Sequence, residues 1–319
     1  MSNNEIKSYR SIKPKKIEWL WEPYIPYGKI TIIEGDPGDG KTSFVLFLCA
    51  LLSKTNRRQH IDSLTEKKIT IIYQSQEDDA EDTIKPKLLK YGADCSNIYF
   101  IDNSSPISIE NDELDKYIKE VNARLIVLDP IQSFLGDKSI TNVTAMRNTL
   151  KKLVLVAKNN NCSVVLVGHM NKATGDKELY RSLGSIDIVA IARSVLLIKR
   201  KEETPSIRIV SQIKNNLAME GNPFAFEFKP NGGITFLGNV SPNDLKSEEK
   251  NLSKHDLAKK LLISTLLEGD IQTNVMLAKA KKYNISRRTM DDVRKEIGCK
   301  AIKKKDCWYW SLGGNDDGQ

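Results

Sequence analysis

One stretch of the chain, Gly35-Asp36-Pro37-Gly38-Asp39-Gly40-Lys41-Thr42, has the spacing G-x-x-x-x-G-K-[ST] that can wrap a polyphosphate. Glycines let successive backbone N–H groups turn inward around phosphate oxygens, and a helix opening at the end of the loop points its positive end at the same place. Lys41 reaches the β/γ-phosphates of ATP, Ser43 extends the cradle, and the Thr42 hydroxyl is placed to ligate Mg²⁺. Such a loop needs a second carboxylate for the metal. Leu125-Ile126-Val127-Leu128-Asp129, an apolar run ending in an aspartate, supplies one, unless Asp129 is only a strand-end cap. Hydrolysis also needs a group to orient or deprotonate water. Glu77, in Tyr73-Gln74-Ser75-Gln76-Glu77-Asp78-Asp79, follows an apolar run whose end would overhang the site, although it could equally be one of several solvated acids opening a helix.

The elements that must position these groups read as an α/β fold. Strands are predicted at Ile30–Glu34, Ile69–Gln74, Ile98–Ile101, Leu125–Leu128, Ser163–Val167, Ser194–Ile198 and Ser206–Ile213. Helices lie between them. One spans Ser43–Ser53 behind the loop; another spans Val143–Lys158, with Val143, Met146, Leu150, Leu153 and Ala157 on one face. Continuous apolar strands separated by amphipathic helices imply a mostly parallel twisted sheet with helices on both faces. Trp19, Trp21 and Pro26-x-Gly28 precede the first of these strands and suggest an aromatic staple on the core.

Charge divides the chain. Of the net +8, residues 251–312 carry +7 and the tail 313–319 carries −2. A small basic module is the footprint of phosphate-backbone binding, though a solvated charged face has the same composition. Five cysteines (Cys49, Cys95, Cys162, Cys299, Cys307) with no CxxC pair argue against a zinc or disulfide framework and for free thiols in a reducing cytoplasm. No run of about 18 apolar residues is present, so no membrane partner is expected.

Within the basic region, Lys254–Leu267 and Thr273–Tyr283 read as helices, Ser286 as the cap of a third over Arg287–Ile297, and Gly298 as its stop. That third helix should bury Met290, Val293 and Ile297 and leave Arg287, Arg288, Arg294 and Lys295 for solvent or DNA. Cys299–Ile302 and Trp308–Leu312, joined by Lys303-Lys304-Lys305-Asp306, then form a hairpin. Helix, helix-turn-helix and hairpin make a winged helix whose basic tip is the wing. The expected division is a lead-in over 1–28, an ATPase domain over 29–240, a polar linker over 241–252, the winged helix over 253–312 and a tail over 313–319.

Taken in order, the motifs WLWEPYIPYGKITIIEGDPGDGKTS, YQSQEDD, LIVLDPIQSF, VVLVGHMNK and RSLGSIDIVAIARSVLLI resemble those of RecA-like ATPases. The similarity is to plasmid RepA-type hexameric helicases and their AAA relatives in phages, plasmids and integrated elements. It implies a RecA-like core, ATP with Mg²⁺, DNA as partner and a homo-oligomer, a hexamer in the helicases. Glu77 matches the acid that activates water, Asp129 the metal acid, and His169 the sensor of the γ-phosphate. A neighbouring subunit would supply Arg181, Arg193 or Lys214 to the site; Lys214-Asn215-Asn216 departs from the Lys-x-Arg pair of related helicases and shifts attention to the two arginines. Loops Gly136–Asn142 and Asn171–Tyr180 match those that line a pore, with Lys138, Lys172 and Lys177 touching single-stranded DNA. The implied activity is a DNA-acting motor. The alternative is an ATP-switched DNA-binding protein, such as an initiator, partner loader or recombination mediator, that does not unwind processively.

Overall fold

Nine strands, most of them alternating or continuous apolar runs, converge on one sheet. The computed structural model describes residues 8–55, 59, 61–102, 109, 113–135, 143–168, 186–241, 254–267, 269–304 and 307–311. The chain enters through a small antiparallel pair, β1 (Trp19–Trp21) and β2 (Ile25–Pro26), then runs through β3 (Ile30–Glu34) into helix α1 (Lys41–Leu52). Strand β4 (Ile71–Ser75), a π-helical turn over Ala80–Ile84, α2 (Lys85–Lys90) and β5 (Ile98–Tyr99) follow. Next come α3 (Glu113–Val121), β6 (Leu125–Asp129), α4 (Val143–Asn160), β7 (Ser163–Val167) and α5 (Ile186–Ile191). The sheet closes with β8 (Ser194–Arg200), β9 (Ile207–Asn215), β10 (Phe224–Phe228) and β11 (Ile234–Asn239).

Strand order is β11-β10-β9-β8-β3-β7-β6-β4-β5. From β5 to β8 every pairing is parallel, while β8 to β11 form an antiparallel run. Alternate side chains of the central strands enter two cores. Ile33, Tyr73, Val127 and Val167 face α1, whereas Ile32, Ile72, Leu128 and Leu166 face α3 and α4. That alternation explains why these strands read as unbroken apolar runs: both faces are dry. Helix α1 buries ten of its twelve residues, so it is apolar all round and sits in the interior. Met146, Leu150, Leu153 and Ala157 of α4 face the core as their spacing requires.

Several boundaries differ from the sequence reading. The pair β10–β11 was not anticipated, although Asn231-Gly232-Gly233 lies between its strands and Gly232 takes φ +76°. Trp21 does staple the core: it is 1% exposed, 4.6 Å from the Tyr24 ring and 4.8 Å from Phe224.

Residues 254–311 build a further core of their own from α6 (Lys254–Leu267), β12 (Ile271–Gln272), α7 (Thr273–Lys282), α8 (Arg287–Glu296), β13 (Lys300–Lys304) and β14 (Cys307–Ser311). The three strands pair antiparallel in the order β12-β14-β13 around Trp310. Ser286 caps α8, its Oγ accepting from the Thr289 N–H at 3.1 Å, and Gly298 stops it at φ +67°. Two expectations are corrected. Strand β13 runs further than read, so Lys303 and Lys304 belong to it rather than to the tip. Arg294 is not left to solvent: its guanidinium lies 5.7 Å from the centre of the buried Trp310 ring and its side chain is only 20% exposed, because α8 turns that flank onto the sheet. Lys305, the linker beyond 241 and the tail fall outside the described residues.

Candidate nucleotide site

Strand β3 delivers Gly35 to the sheet's carboxyl edge between β7 and β8. A Cβ at Gly35 would overlap the Ile198 carbonyl of β8, so only glycine leaves the strand here. Gly38 and Gly40 take φ +83° and +87°, a conformation that costs an L side chain about 1–2 kcal/mol. Within the loop, the Asp36 N–H donates to the Asp39 carboxylate at 3.1 Å, and the Asp39 N–H to the Asp36 carbonyl at 3.1 Å. Pro37 is the exposed apex. Gly40 then caps α1 without any side-chain bond, which leaves the first-turn amides of Lys41, Thr42 and Ser43 for an anion.

Lys41 is 4% exposed and donates to the Gly35 carbonyl at 2.7 Å and the Asp36 carbonyl at 3.0 Å. Burial pulls its pKa below the usual lysine value, opposed by Asp39, Asp129, Asp36 and Glu34. Thus Asp129, carried on β6 two strands away, shares an electrostatic neighbourhood with the loop lysine. Asp129 is 3% exposed and accepts from the Tyr73 hydroxyl at 2.7 Å. Burial, then the Asp129 charge, raises the Tyr73 pKa well above its usual value, so Tyr73 is a permanent donor. Register places Ser75 of β4 beside Asp129, and Glu77 is exposed two residues beyond that strand end. The Ser75 Oγ accepts from the N–H groups of Glu77 (3.3 Å) and Asp78 (3.0 Å), fixing the turn that carries Glu77. Thr42 is half-buried at the head of α1.

This loop lies in a segment with a recognisable counterpart: residues 4–175, more than half of the chain, match the model of the AAA domain. The chain belongs to the AAA domain family. Among relatives of the AAA domain chain are proteins named DNA repair protein RadA. That of Halalkalibacterium halodurans is 23% identical over 64% of this chain and 40% of its own length. That of Streptococcus pneumoniae is 22% identical over 90% of this chain and 64% of its own. The chain thus covers less than two thirds of either relative. A KaiC-like protein from Pyrococcus horikoshii superposes with a TM-score of 0.50 at 20% identity, over 69% of this chain and 99% of that one. The shared fold is the RecA-like P-loop ATPase core, α/β with a large, mostly parallel sheet.

The remaining residues expected around the AAA domain site are dispersed. Arg193 is exposed at the start of β8. Lys214, at the far end of β9, donates to the Val189 carbonyl at 2.8 Å and the Ala190 carbonyl at 3.4 Å, which caps α5. Burial, reinforced by Arg193, lowers its pKa to about 8. His169, Arg181, Lys138, Lys172 and Lys177 lie outside the described residues. In the basic unit Arg287, Arg288 and Lys303 are exposed, while Lys304 is held by Asp270 at 2.6 Å. Sequence reasoning missed Tyr73, which meets Asp129 only because β4 and β6 pair. It also missed Arg200 and Arg208, which reach the loop only through the fold. Among the described residues no helix is long and apolar enough to cross a membrane, and no cluster of three metal-binding side chains occurs.

Proposed function

We propose that the chain hydrolyses ATP to move along or remodel DNA, as a hexameric replicative helicase of a mobile element does. The observation that carries the reading is the convergence of a buried Lys41, an α1 N-terminus with no side-chain cap and a buried, hydroxyl-anchored Asp129 at one sheet edge. The first-turn amides and Lys41 would bind the phosphates. Thr42 and Asp129 would hold Mg²⁺, which when bound neutralises charge developing on the transferred phosphoryl group. Glu77, exposed two residues beyond Ser75, the β4 residue that pairs with Asp129, would take the proton of the attacking water. Arg181 or Arg193 of a neighbouring subunit would complete the site, and His169 would report its state to the loops carrying Lys138, Lys172 and Lys177.

Residues 253–312 would act as a winged helix reading duplex DNA. The exposed Arg287 and Arg288 on α8 and the exposed Lys303 on β13 support this reading. The likeness to proteins named for DNA repair, over 90% of the chain in one case, favours a second reading. In it the ATPase remodels DNA or a recombination partner without processive unwinding. A duplex-unwinding assay run beside a DNA-stimulated ATPase measurement separates the two. Unwinding selects the helicase, and stimulation without unwinding selects the remodeller. An ATPase indifferent to DNA removes both.

A further inference from the structure

Arg200 and Arg208 stand directly opposite each other in the antiparallel β8–β9 pair. Like charges in that position repel, and Arg208 is also only 6% exposed, so the pair costs stability unless something offsets it. Among the described residues neither forms an ion pair with a carboxylate. Both guanidinium groups instead bind the outer side of the phosphate loop. Arg200 Nη2 donates to the Gly38 carbonyl at 2.9 Å, Arg208 Nε to the Asp39 carbonyl at 2.9 Å, and Arg208 Nη2 to the Gly38 carbonyl at 3.5 Å. Arg208 is itself braced by the carbonyls of Pro205 and Ile207 and by the Phe228 ring, 5.0 Å from its guanidinium carbon. The same ring would meet a Cβ at Gly40 at 2.6 Å.

A trans peptide points its N–H away from its C=O. Pinning the Asp39 carbonyl outward therefore aims the Gly40 N–H toward the face where phosphate would lie. It also brings two positive charges to a loop whose own side chains, Asp36 and Asp39, are acidic. We propose that Arg200 and Arg208 belong to the nucleotide site of this same subunit, Arg208 positioning the loop amides and both arginines offsetting the polyphosphate charge. This rests on the reading of the loop as an ATP site, and it adds arginines in cis to Lys41, where the sequence pointed to Arg181, Arg193 or Lys214 of a neighbour.

The test is the equilibrium affinity of the full chain for a fluorescent ATP analogue together with its steady-state ATPase kinetics, with thermal midpoints recorded without nucleotide. Arg200→Gln, at an exposed position, should keep a midpoint close to wild type and lose affinity about fivefold or more, the lower end of the range for coupling to a binding site. Arg208→Lys keeps the charge but cannot span two carbonyls, and should raise KM by more than it lowers kcat. If both variants bind ATP within twofold of the wild type, the proposal is overturned. Wild-type protein that fails to bind ATP, or a Lys41→Ala variant that binds as the wild type does, would instead remove the ATP-site reading. Should Arg208→Lys prove unstable, Arg200→Gln alone decides.

Discussion

Removing one oxygen from the core, by Tyr73→Phe, should weaken the metal site and lower stability without disturbing core packing. The Tyr73 hydroxyl is buried, donates to Asp129 Oδ2 at 2.7 Å and stays protonated at any working pH. Phenylalanine keeps the ring and leaves almost no cavity, so packing is preserved. What is lost is a hydrogen bond to a buried carboxylate, worth about 1.5–3 kcal/mol. That bond ties down Asp129 Oδ2. Removing a partner that orients a metal ligand typically costs about 10–100-fold in metal affinity. The assay is ATP turnover against Mg²⁺ concentration at saturating ATP, with Mg²⁺-dependent nucleotide binding measured alongside. The half-saturating Mg²⁺ should rise about 10–100-fold, and turnover at saturating Mg²⁺ should change much less. An unchanged Mg²⁺ midpoint in a folded variant would refute the reasoning and leave Asp129 as a structural strand end.

Glu77→Gln should retain nucleotide binding while turnover collapses, since shape survives and the basic oxygen does not; wild-type turnover would strip Glu77 of its role. Mixing Lys41→Ala subunits with Arg193→Ala subunits should restore some ATPase activity, because one interface in the mixture keeps both parts; a fully active monomer would rule out a trans residue. Deleting residues 253–312 should flatten the salt dependence of duplex binding by about 0.9 in log–log slope for each DNA phosphate no longer neutralised, with basal ATPase preserved. An unchanged slope assigns the module to protein docking. Lys214 has a native pKa of about 8, below its unfolded value, so between the two the unfolded chain binds more protons and stability rises with pH. Denaturant midpoints at pH 8 and pH 10 should show that increment in the wild type and lose it in Lys214→Met.

The central architecture was legible because local signals there agree with the global fold. Ile30–Glu34 and Ser163–Val167 emerge with the bounds read from their β-branched runs, and the glycine spacing after β3 has one geometry open to it. The β10–β11 hairpin was missed although Phe224, Phe226 and Phe228 alternate, because the signal there is a period of two rather than the unbroken apolar run that marks the central strands. Tyr73, Arg200 and Arg208 were invisible for a different reason. Their partners, at Asp129, Gly38 and Asp39, are brought to them by strand order, and nothing in local composition separates them from an ordinary core tyrosine or solvated arginines. Arg294 was misassigned because helical spacing shows which flank of α8 is apolar, whereas the sheet that covers its neighbouring flank is a tertiary fact.

Strand β9 grips a different structure at each end. Arg208 holds the loop that precedes α1, and six residues on Lys214 holds the carboxyl end of α5. A strand advances about 3.3 Å per residue and resists stretching, so these anchor points are locked roughly 20 Å apart. Mechanically, β9 is a strut between the P-loop and the helix that leads into β8. Helix α5 cannot drift from the loop independently: a shift at one anchor must be passed on, or one of the two grips must let go.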